Sequence, residues 1–297
     1  MNLIELTERI DSEEKARDFL EQMRWPDGVQ CPRCGHEHIS RLKDYNKFEC
    51  ASCEYQFSVT SGTFMHKTRL PLRKWLIAVY LICESKKGIS AKQIERTIGV
   101  SYPTAWHMMH RIRTAMTPAE DEAKLFGALE MDETYVGGKE RGIGPGRPGK
   151  RSKKTAVLGI IERNGRVRCT AVPRVNSAEI MDFASWAIDR GAVDIIYTDQ
   201  LSSYRIFDGV FQHKAINHSI CYVMGDIHTN GIEGFWSLLK RGINGSFHHI
   251  SAKHISRYLN EFIWRFNNRE NGSIFETLLG NCSGKSLTYK SLVGAAV

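Results

Sequence analysis

No stretch of this chain is long and apolar enough to cross a bilayer. The longest uninterrupted apolar run, Trp75 to Cys83, is nine residues, against the roughly 20 that a spanning helix needs. The opening residues are acidic and amphipathic and lack the basic-then-apolar order of a secretory leader, so a cytoplasmic protein with no membrane role is expected. A disulfide framework is missing too. Eight cysteines in 297 residues are too sparse for a small secreted scaffold. Four of them fall into paired motifs, while Cys83, Cys169, Cys221 and Cys282 are scattered and read as buried apolar residues or ordinary thiols. Hydrophobic residues are not scarce, and at 42% they exclude a disordered chain and allow one large domain or two to three small ones. Acid is what runs short: 33 Asp and Glu against 41 Lys and Arg leave a net charge of +8, which favours a polyanionic partner, most simply nucleic acid. Charge of this kind speaks to association and not to fold.

What is present divides along the chain. In an N-terminal segment, residues 1–28, the spacing predicts a packing helix over 11–23, with Asp11 as N-cap, Glu14 three residues on, and a stripe of Ala16, Phe19, Leu20 and Met23. Trp25-Pro26-Asp27-Gly28 ends it. Over 29–62, Cys31-Pro-Arg-Cys34, fifteen residues and Cys50-Ala-Ser-Cys53 have the two-knuckle spacing of a zinc ribbon, four thiolates for one structural Zn2+. So small a module has little core of its own, so zinc binding is expected to supply most of its folding energy. A redox CxxC is the competing reading, disfavoured by two matched pairs; His36 and His38 read as surface residues.

Residues 70–118 turn helical. Arg73 to Glu84 is a first helix, Ser90-Ala-Lys-Gln93 is a capping box opening a second to Thr97, Ile98-Gly99-Val100 turns, and Ser101 caps a third reaching Met116. Helix, Gly-containing turn and helix is the helix-turn-helix pattern. Ala105, Met108, Ile112 and Met116 would pack inward, leaving Tyr102, Thr104, Trp106, His110, Arg111 and Arg113 to face DNA. The alternative is an ordinary three-helix bundle with a basic surface. Thr117 to Asp121 marks a boundary.

An α/β domain is expected over 125–270. Its first strand holds Asp132, and alternation along a strand sends Glu133 to the opposite face, so only one of the pair is expected in a site; Glu130 shares the face of Asp132 and is a candidate for a supporting role. Gly137 to Lys154 carries seven Lys or Arg and no hydrophobic period. It reads as a mobile basic loop in which Lys139, Arg147, Lys150, Arg151, Lys153 and Lys154 contact phosphates. Strands at 155–161 and 166–172 flank a hairpin turn with Asn164-Gly165, a helix follows over 177–190, and a buried strand at 194–198 delivers Asp199. A short helix at 203–207 and an edge strand at 214–218 precede the segment from His228 to Arg241, a helix carrying Asn230, Glu233, Ser237 and Lys240 on one face. Another helix spans 251–267, and 271–297 reads as a weakly patterned tail. Three carboxylates from two strands and a later helix can hold two divalent cations. His228, His248, His249 and His254 lack ligand spacing and read as phosphate contacts or caps.

Asp132, Asp199 and Glu233, with thirty-three residues between the last two and Lys240 seven after the Glu, resemble the DDE signature of transposases with a ribonuclease-H-like catalytic domain. The Cys-Pro-Arg-Cys-Gly knuckle, Phe57 to Phe64, Leu70-Pro-Leu-Arg-Lys-Trp75, Met131 to Lys139 and His228 to Glu233 resemble the ISXO2-like insertion-sequence transposases, over roughly residues 10–270. The resemblance implies a multidomain chain: zinc ribbon, all-α helix-turn-helix, and an α/β ribonuclease-H-like catalytic domain with a mixed sheet. It implies two Mg2+ (or Mn2+) ions per site, with Asp132 bridging them, Asp199 and Glu233 binding one each, Asn230 a rival third ligand, Lys240 near the scissile phosphate and Arg241 among the DNA-binding residues. It implies a bacterial, nucleoid-associated transposase acting on double-stranded DNA, both terminal inverted repeats and target, as a homodimer or larger assembly. A DNA-binding regulator with a non-catalytic nuclease-like domain, and a nuclease that cuts without joining, stand as the alternatives.

Overall fold

The computed structural model describes residues 1–42, 46–119, 122–137, 154–216, 228–284 and 286–294. The chain divides into two compact units, Met1–Thr117 with Asn271–Val297, and Pro118–Glu270. Among the described residues no helix is long and apolar enough to cross a membrane.

The first unit opens with a helix the sequence reading did not anticipate, α1 (Leu3–Arg9), started by a capping box between Asn2 and Glu5. Helix α2 (Glu13–Arg24) begins one residue later than expected, because Ser12, not Asp11, accepts the Lys15 amide; Asp11 instead pairs with the Lys15 ammonium at 2.6 Å. Three antiparallel strands follow, β1 (Ile39–Leu42), β2 (Lys47–Cys50) and β3 (Gln56–Phe57), with Phe48 and Phe57 buried beside Trp25. Helices α3 (Leu72–Glu84), α4 (Ala91–Ile98) and α5 (Tyr102–Ala115) give the expected order of helices. Ser90 caps α4, and Gly99, at φ +62°, closes it in the left-handed conformation that glycine tolerates. Ser101 stands at the N-cap of α5 but makes no bond to the helix backbone, sharing one with Thr104 Oγ1 at 2.8 Å instead. The start of α3 is capped from outside: Glu13 of α2 accepts the amides of Leu72 at 2.9 Å and Arg73 at 3.2 Å.

Helix α5 corrects one expectation. Ala105, Met108, Ile112 and Met116 are buried as read, but so are Arg111, Arg113 and His110, at 8%, 1% and 0% exposure. Arg111 donates to the His66 carbonyl and its guanidinium lies 5.1 Å over the Trp75 ring. The helix is enclosed on more than the one face its apolar stripe marks, and a long cationic side chain can lay its stem and planar head against apolar neighbours. The stretch read as a tail contributes two short helices, Ile274–Gly280 and Tyr289–Val293. Phe275, Leu278 and Leu279 are buried, with Phe275 against Phe19 of α2 and Tyr80 of α3.

The second unit is built on a five-stranded sheet in the order β6-β5-β4-β7-β8: β4 (Leu125–Val136), β5 (Thr155–Glu162), β6 (Val167–Val172), β7 (Ile188–Asp199) and β8 (His213–Ile216). β4, β5 and β6 pair antiparallel, whereas β7 and β8 run parallel to β4, so the sheet is mixed. The β5–β6 hairpin turns at Asn164, φ +60°. Helix α6 (Ser177–Ala187) ends three residues before the predicted 190, because Ile188 takes extended backbone and pairs with Leu125, which starts β7 early. Helix α7 (Asn230–Gly242) and helix α8 (Ile255–Asn267) complete the unit. Leu129, Met131, Leu158 and Ile160 point to the α6 side, packing on Phe183, Tyr204 and Phe207. Val157 and Ile161 point to the other side, against Ile232, Phe235, Trp236 and Leu239 of α7 and Phe262 of α8. With the sheet buried on both faces, the site lies where β4 and β7 stop pairing and α7 begins.

Candidate active site

β4 and β7 pair only as far as Glu130 beside Tyr197. Beyond that point β4 keeps β5 on one side, with Asp132 opposite Gly159, while β7 continues along β8 to Asp199. An opening forms between the two strands, and the acids converge in it. Carboxylate oxygens of Asp132, Glu133 and Asp199 all lie within 4.8 Å of one another.

Each acid is held by a different neighbour. Trp236 of α7 donates its indole N–H to Asp132 Oδ2 at 3.0 Å. It reaches so close to the sheet because Gly159 has no side chain: a Cβ there would sit 2.6 Å from the indole ring. On the other face Tyr204, fully buried, donates its hydroxyl to Glu133 Oε2 at 2.8 Å. Asp199 Oδ1 accepts the Leu201 amide at 2.9 Å. Behind it runs a chain in which Asp208 Oδ1 meets His213 Nδ1 at 2.7 Å, His213 Nε2 meets Thr198 Oγ1 at 2.9 Å, and Thr198 donates to the Asp199 carbonyl. The expectation that Glu133 stays out of the site is therefore overturned. Asp132 and Glu133 do leave opposite faces of β4, but no strand stands beside them on the β7 side, so the longer Glu side chain curls back into the opening.

The electrostatics follow from the crowding. Burial, then the charges of Glu133 and Asp199, raise the Asp132 carboxyl to about 7. Burial and the three neighbouring carboxylates likewise push the Tyr204 phenol well above its ordinary value. Oxygen-only donors with mutually repelling charges suit a hard divalent cation, so the residues present fit Mg2+ or Mn2+.

Helix α7 forms the opposite wall of a cleft of about 500 Å³ lined by the acids and by Glu233, Trp236, Ser237, Lys240, Arg241 and Asn244. Glu233, Ser237 and Lys240 share a face as the spacing predicts. Asn230 does not join them; it is exposed in the first turn, outside the cleft lining. Glu233 lines the cleft without entering the tight cluster, its Oε1 taking the Thr229 hydroxyl at 3.0 Å. Lys240 and Arg241 are exposed and bring positive charge to the wall facing the acids. Lys139, Arg147, Lys150, Arg151 and Lys153 lie outside the described residues, while Lys154 is half-buried just before β5. Of the remaining DNA-facing candidates, Tyr102 is 46% exposed and Thr104 half-buried. Among the described residues no histidine joins either cluster of metal-binding type.

The second cluster is Cys31, Cys34, Cys50 and Cys53. Their sulfurs lie 3.5 to 3.7 Å apart in the three closest pairs, near the roughly 3.8 Å edge of a tetrahedron around an ion with Zn–S bonds of about 2.3 Å. Each knuckle closes with the fourth residue after its first cysteine donating back to that cysteine's carbonyl, and Gly35 and Glu54 take positive φ there. Four thiols at this spacing fit Zn2+.

Residues that sequence reasoning missed are Glu133, Trp236 and Tyr204. Only Gly159, a glycine inside a strand, signalled that something large approaches the sheet.

Residues 124–267 match the family model for the ISXO2-like transposase domain, and residues 11–56 match the transposase zinc-ribbon domain. The chain is 28% identical over 268 residues to an uncharacterized protein in transposable element ISH50 of Halobacterium salinarum, covering 84% of this chain and 90% of that one. It is 36% identical over 106 residues to an uncharacterized transposase-like protein of Haemophilus influenzae, covering 35% of this chain and 84% of the other. Among solved structures it is similar to a pre-cleavage Mos1 transpososome, at 12% identity over 69% of this chain and 78% of that chain with a TM-score of 0.26, and to a Mos1 strand transfer complex at 13%, 70%, 78% and 0.25. Overlap that loose carries no argument about this chain.

Proposed function

This chain belongs to the ISXO2-like transposase family, and we propose that it is an active enzyme that cuts the ends of its element and joins them to target DNA. The observation that carries the reading is the meeting of Asp132, Glu133 and Asp199 within 4.8 Å at a cleft whose far wall presents Glu233 and Lys240. We read the mixed sheet as ribonuclease-H-like, with its acids where β4 and β7 part. Asp132, Asp199 and Glu233 would hold the divalent ions, with Glu133 beside them as a further carboxylate. Bound there, such ions supply a polarised hydroxyl for attack on phosphorus and offset charge on the leaving oxygen.

The chain's own groups do the rest. Trp236 and Tyr204 fix the orientations of Asp132 and Glu133 by one hydrogen bond each. Lys240 and Arg241 offer cations to the phosphates on either side of the reacting one, and Ser237 and Asn244 offer neutral donors. In the other unit the ribbon and the α4–Gly99–α5 segment, with Tyr102 and Thr104 at the exposed start of α5, would recognise the terminal inverted repeats as a dimer or larger assembly. A cytoplasmic, nucleoid-bound protein follows from that role.

The test is a strand-transfer assay with full-length protein, Mg2+ or Mn2+, a labelled duplex ending in the element's terminal repeat, and a plasmid target. Joined products that vanish with Glu233→Gln but persist with Asn230→Ala support the reading and the choice of third ligand. End binding by wild type without cutting supports the regulator, and cutting without joining supports the nuclease.

A further inference from the structure

We infer that Glu130 is a positioning residue whose buried carboxylate fixes the spacing of all three elements that bring acids to the cleft, an inference that rests on the metal-dependent reading above. Glu130 is 1% exposed. Its Oε2 accepts the amides of Gly231 at 2.7 Å and Ile232 at 3.1 Å, two of the groups at a helix start that have no partner inside the helix. The N-cap residue Thr229 does not serve them, since its hydroxyl is turned to Glu233. The cap of α7 thus comes from the sheet.

The other oxygen, Oε1, accepts from Arg163 Nε at 3.1 Å, and His228 Nδ1 lies 3.2 Å from it without hydrogen-bond alignment. Arg163 in turn donates Nη2 to the His228 carbonyl at 3.2 Å and lays its guanidinium 3.9 Å over the Tyr197 ring. A buried carboxylate is costly unless it is paired and hydrogen-bonded. Here one guanidinium, two amides and the positive end of α7 meet that need.

The spacing of these contacts gives the residue its role. Asp132 lies two residues past Glu130 on β4, Asp199 two past Tyr197 on β7, and Glu233 two past Gly231 on α7. Every proposed ligand is therefore one short step from a contact with the Glu130–Arg163 pair. Glu130 does not itself join the acid cluster. Ligands on three separate elements keep a common geometry only if those elements are fixed to one another, and directed hydrogen bonds from one buried carboxylate supply such a fixture here.

The experiment uses the full-length, zinc-loaded protein and three readouts: Mn2+ binding by calorimetry, end-DNA binding in EDTA, and cleavage rate against DNA concentration. Glu130→Gln keeps the shape but removes the charge and replaces one acceptor with an amide. The expected result is end-DNA binding and KM for DNA within about twofold of wild type, with Mn2+ affinity and kcat lower by roughly 10-fold to 100-fold. A variant that melts earlier yet binds Mn2+ and turns over as wild type does would reduce Glu130 to a structural residue and overturn the inference. If Glu130→Gln does not fold, Gly231→Ala decides, because its Cβ would lie 2.8 Å from Glu130 Oε2 while every charge is retained. Unchanged Mn2+ affinity in that variant overturns the inference equally. Wild-type protein that binds no Mn2+ beyond its zinc refutes the metal-dependent reading itself, a result distinct from either.

Discussion

Asp132 shows how a residue proposed to bind metal works against the fold that carries it. Its carboxyl titrates near 7 in the folded chain against an ordinary 3.8, so between those values the folded, metal-free protein holds a proton that the unfolded chain has released. Stability therefore falls as pH climbs from about 4 to about 7, and stays at the lower level above. Asp132→Asn removes that cost. The metal-free variant is expected to melt above wild type at about pH 8, to lose the further rise that Mn2+ gives wild type, and to be inactive in strand transfer. Scanning calorimetry with and without Mn2+ checks all but the last; a variant that melts below wild type at that pH contradicts the account. Gly159 is a second such position. Gly159→Ala drives a methyl into the Trp236 ring and is expected to cost roughly 1–3 kcal/mol, with cleavage falling further than folding because the indole also holds Asp132. Of these residues the sequence marks the acids at strand ends and the helix-spaced Glu233 and Lys240. It hides Glu133, because alternation fixes the face a side chain leaves from and not how far a long carboxylate can reach into an opening beside the strand, and it hides Tyr204, whose contact spans 71 residues of chain.

Among the elements, α7 and α5 contrast. The faces of α7 are legible because apolar and polar residues segregate cleanly, and the structure moves only Asn230 out of the cleft. Helix α5 is misphased by sequence alone: Arg111 and Arg113 look like solvent-facing cations, yet the protein buries both, Arg111 against the His66 carbonyl and the Trp75 ring, partners that no local pattern announces. Both α7 and α3 begin at a carboxylate supplied by another element, Glu130 and Glu13 respectively, so the usual N-cap signals near Thr229 and Pro71 carry little. The chain Asp208–His213–Thr198 plays a comparable part for the end of β7. His213→Ala removes one of the two hydrogen bonds of the Thr198 hydroxyl and leaves the one to the Asp199 carbonyl, a loss of roughly 0.5–1.5 kcal/mol. It is expected to lower kcat for cleavage without changing end-DNA binding, measured side by side; weakened binding with kcat intact would detach the chain from Asp199.

For the whole molecule, the division into two units separates two metal dependences. Chelation with a zinc-selective reagent, or Cys34→Ser, is expected to release one zinc per chain and abolish end binding while far-UV dichroism of the mixed-sheet unit persists; a zinc content unchanged in Cys34→Ser would remove the ribbon assignment. The order of elements was legible except at the two ends, where helices of seven residues (Leu3–Arg9, Ile274–Gly280) and five (Tyr289–Val293) are too short to display a period. Deleting 271–297 strips Phe275, Leu278 and Leu279 from the first unit, roughly 1.5–3 kcal/mol for each fully buried side chain, and is expected to lose end-DNA binding in gel shifts while residues 118–270 stay folded. Retained binding by the shortened protein would make those helices dispensable.

The same discontinuity matters while the protein is being made. The unit proposed to recognise the element's ends draws Phe275, Leu278 and Leu279 from a segment translated after the whole mixed-sheet unit, so it cannot be completed before that unit has been made. On the proposed division of roles, a copy of the gene cut short by a frameshift before Asn271 would leave that unit incomplete and is expected to yield no silent competitor for the element's ends.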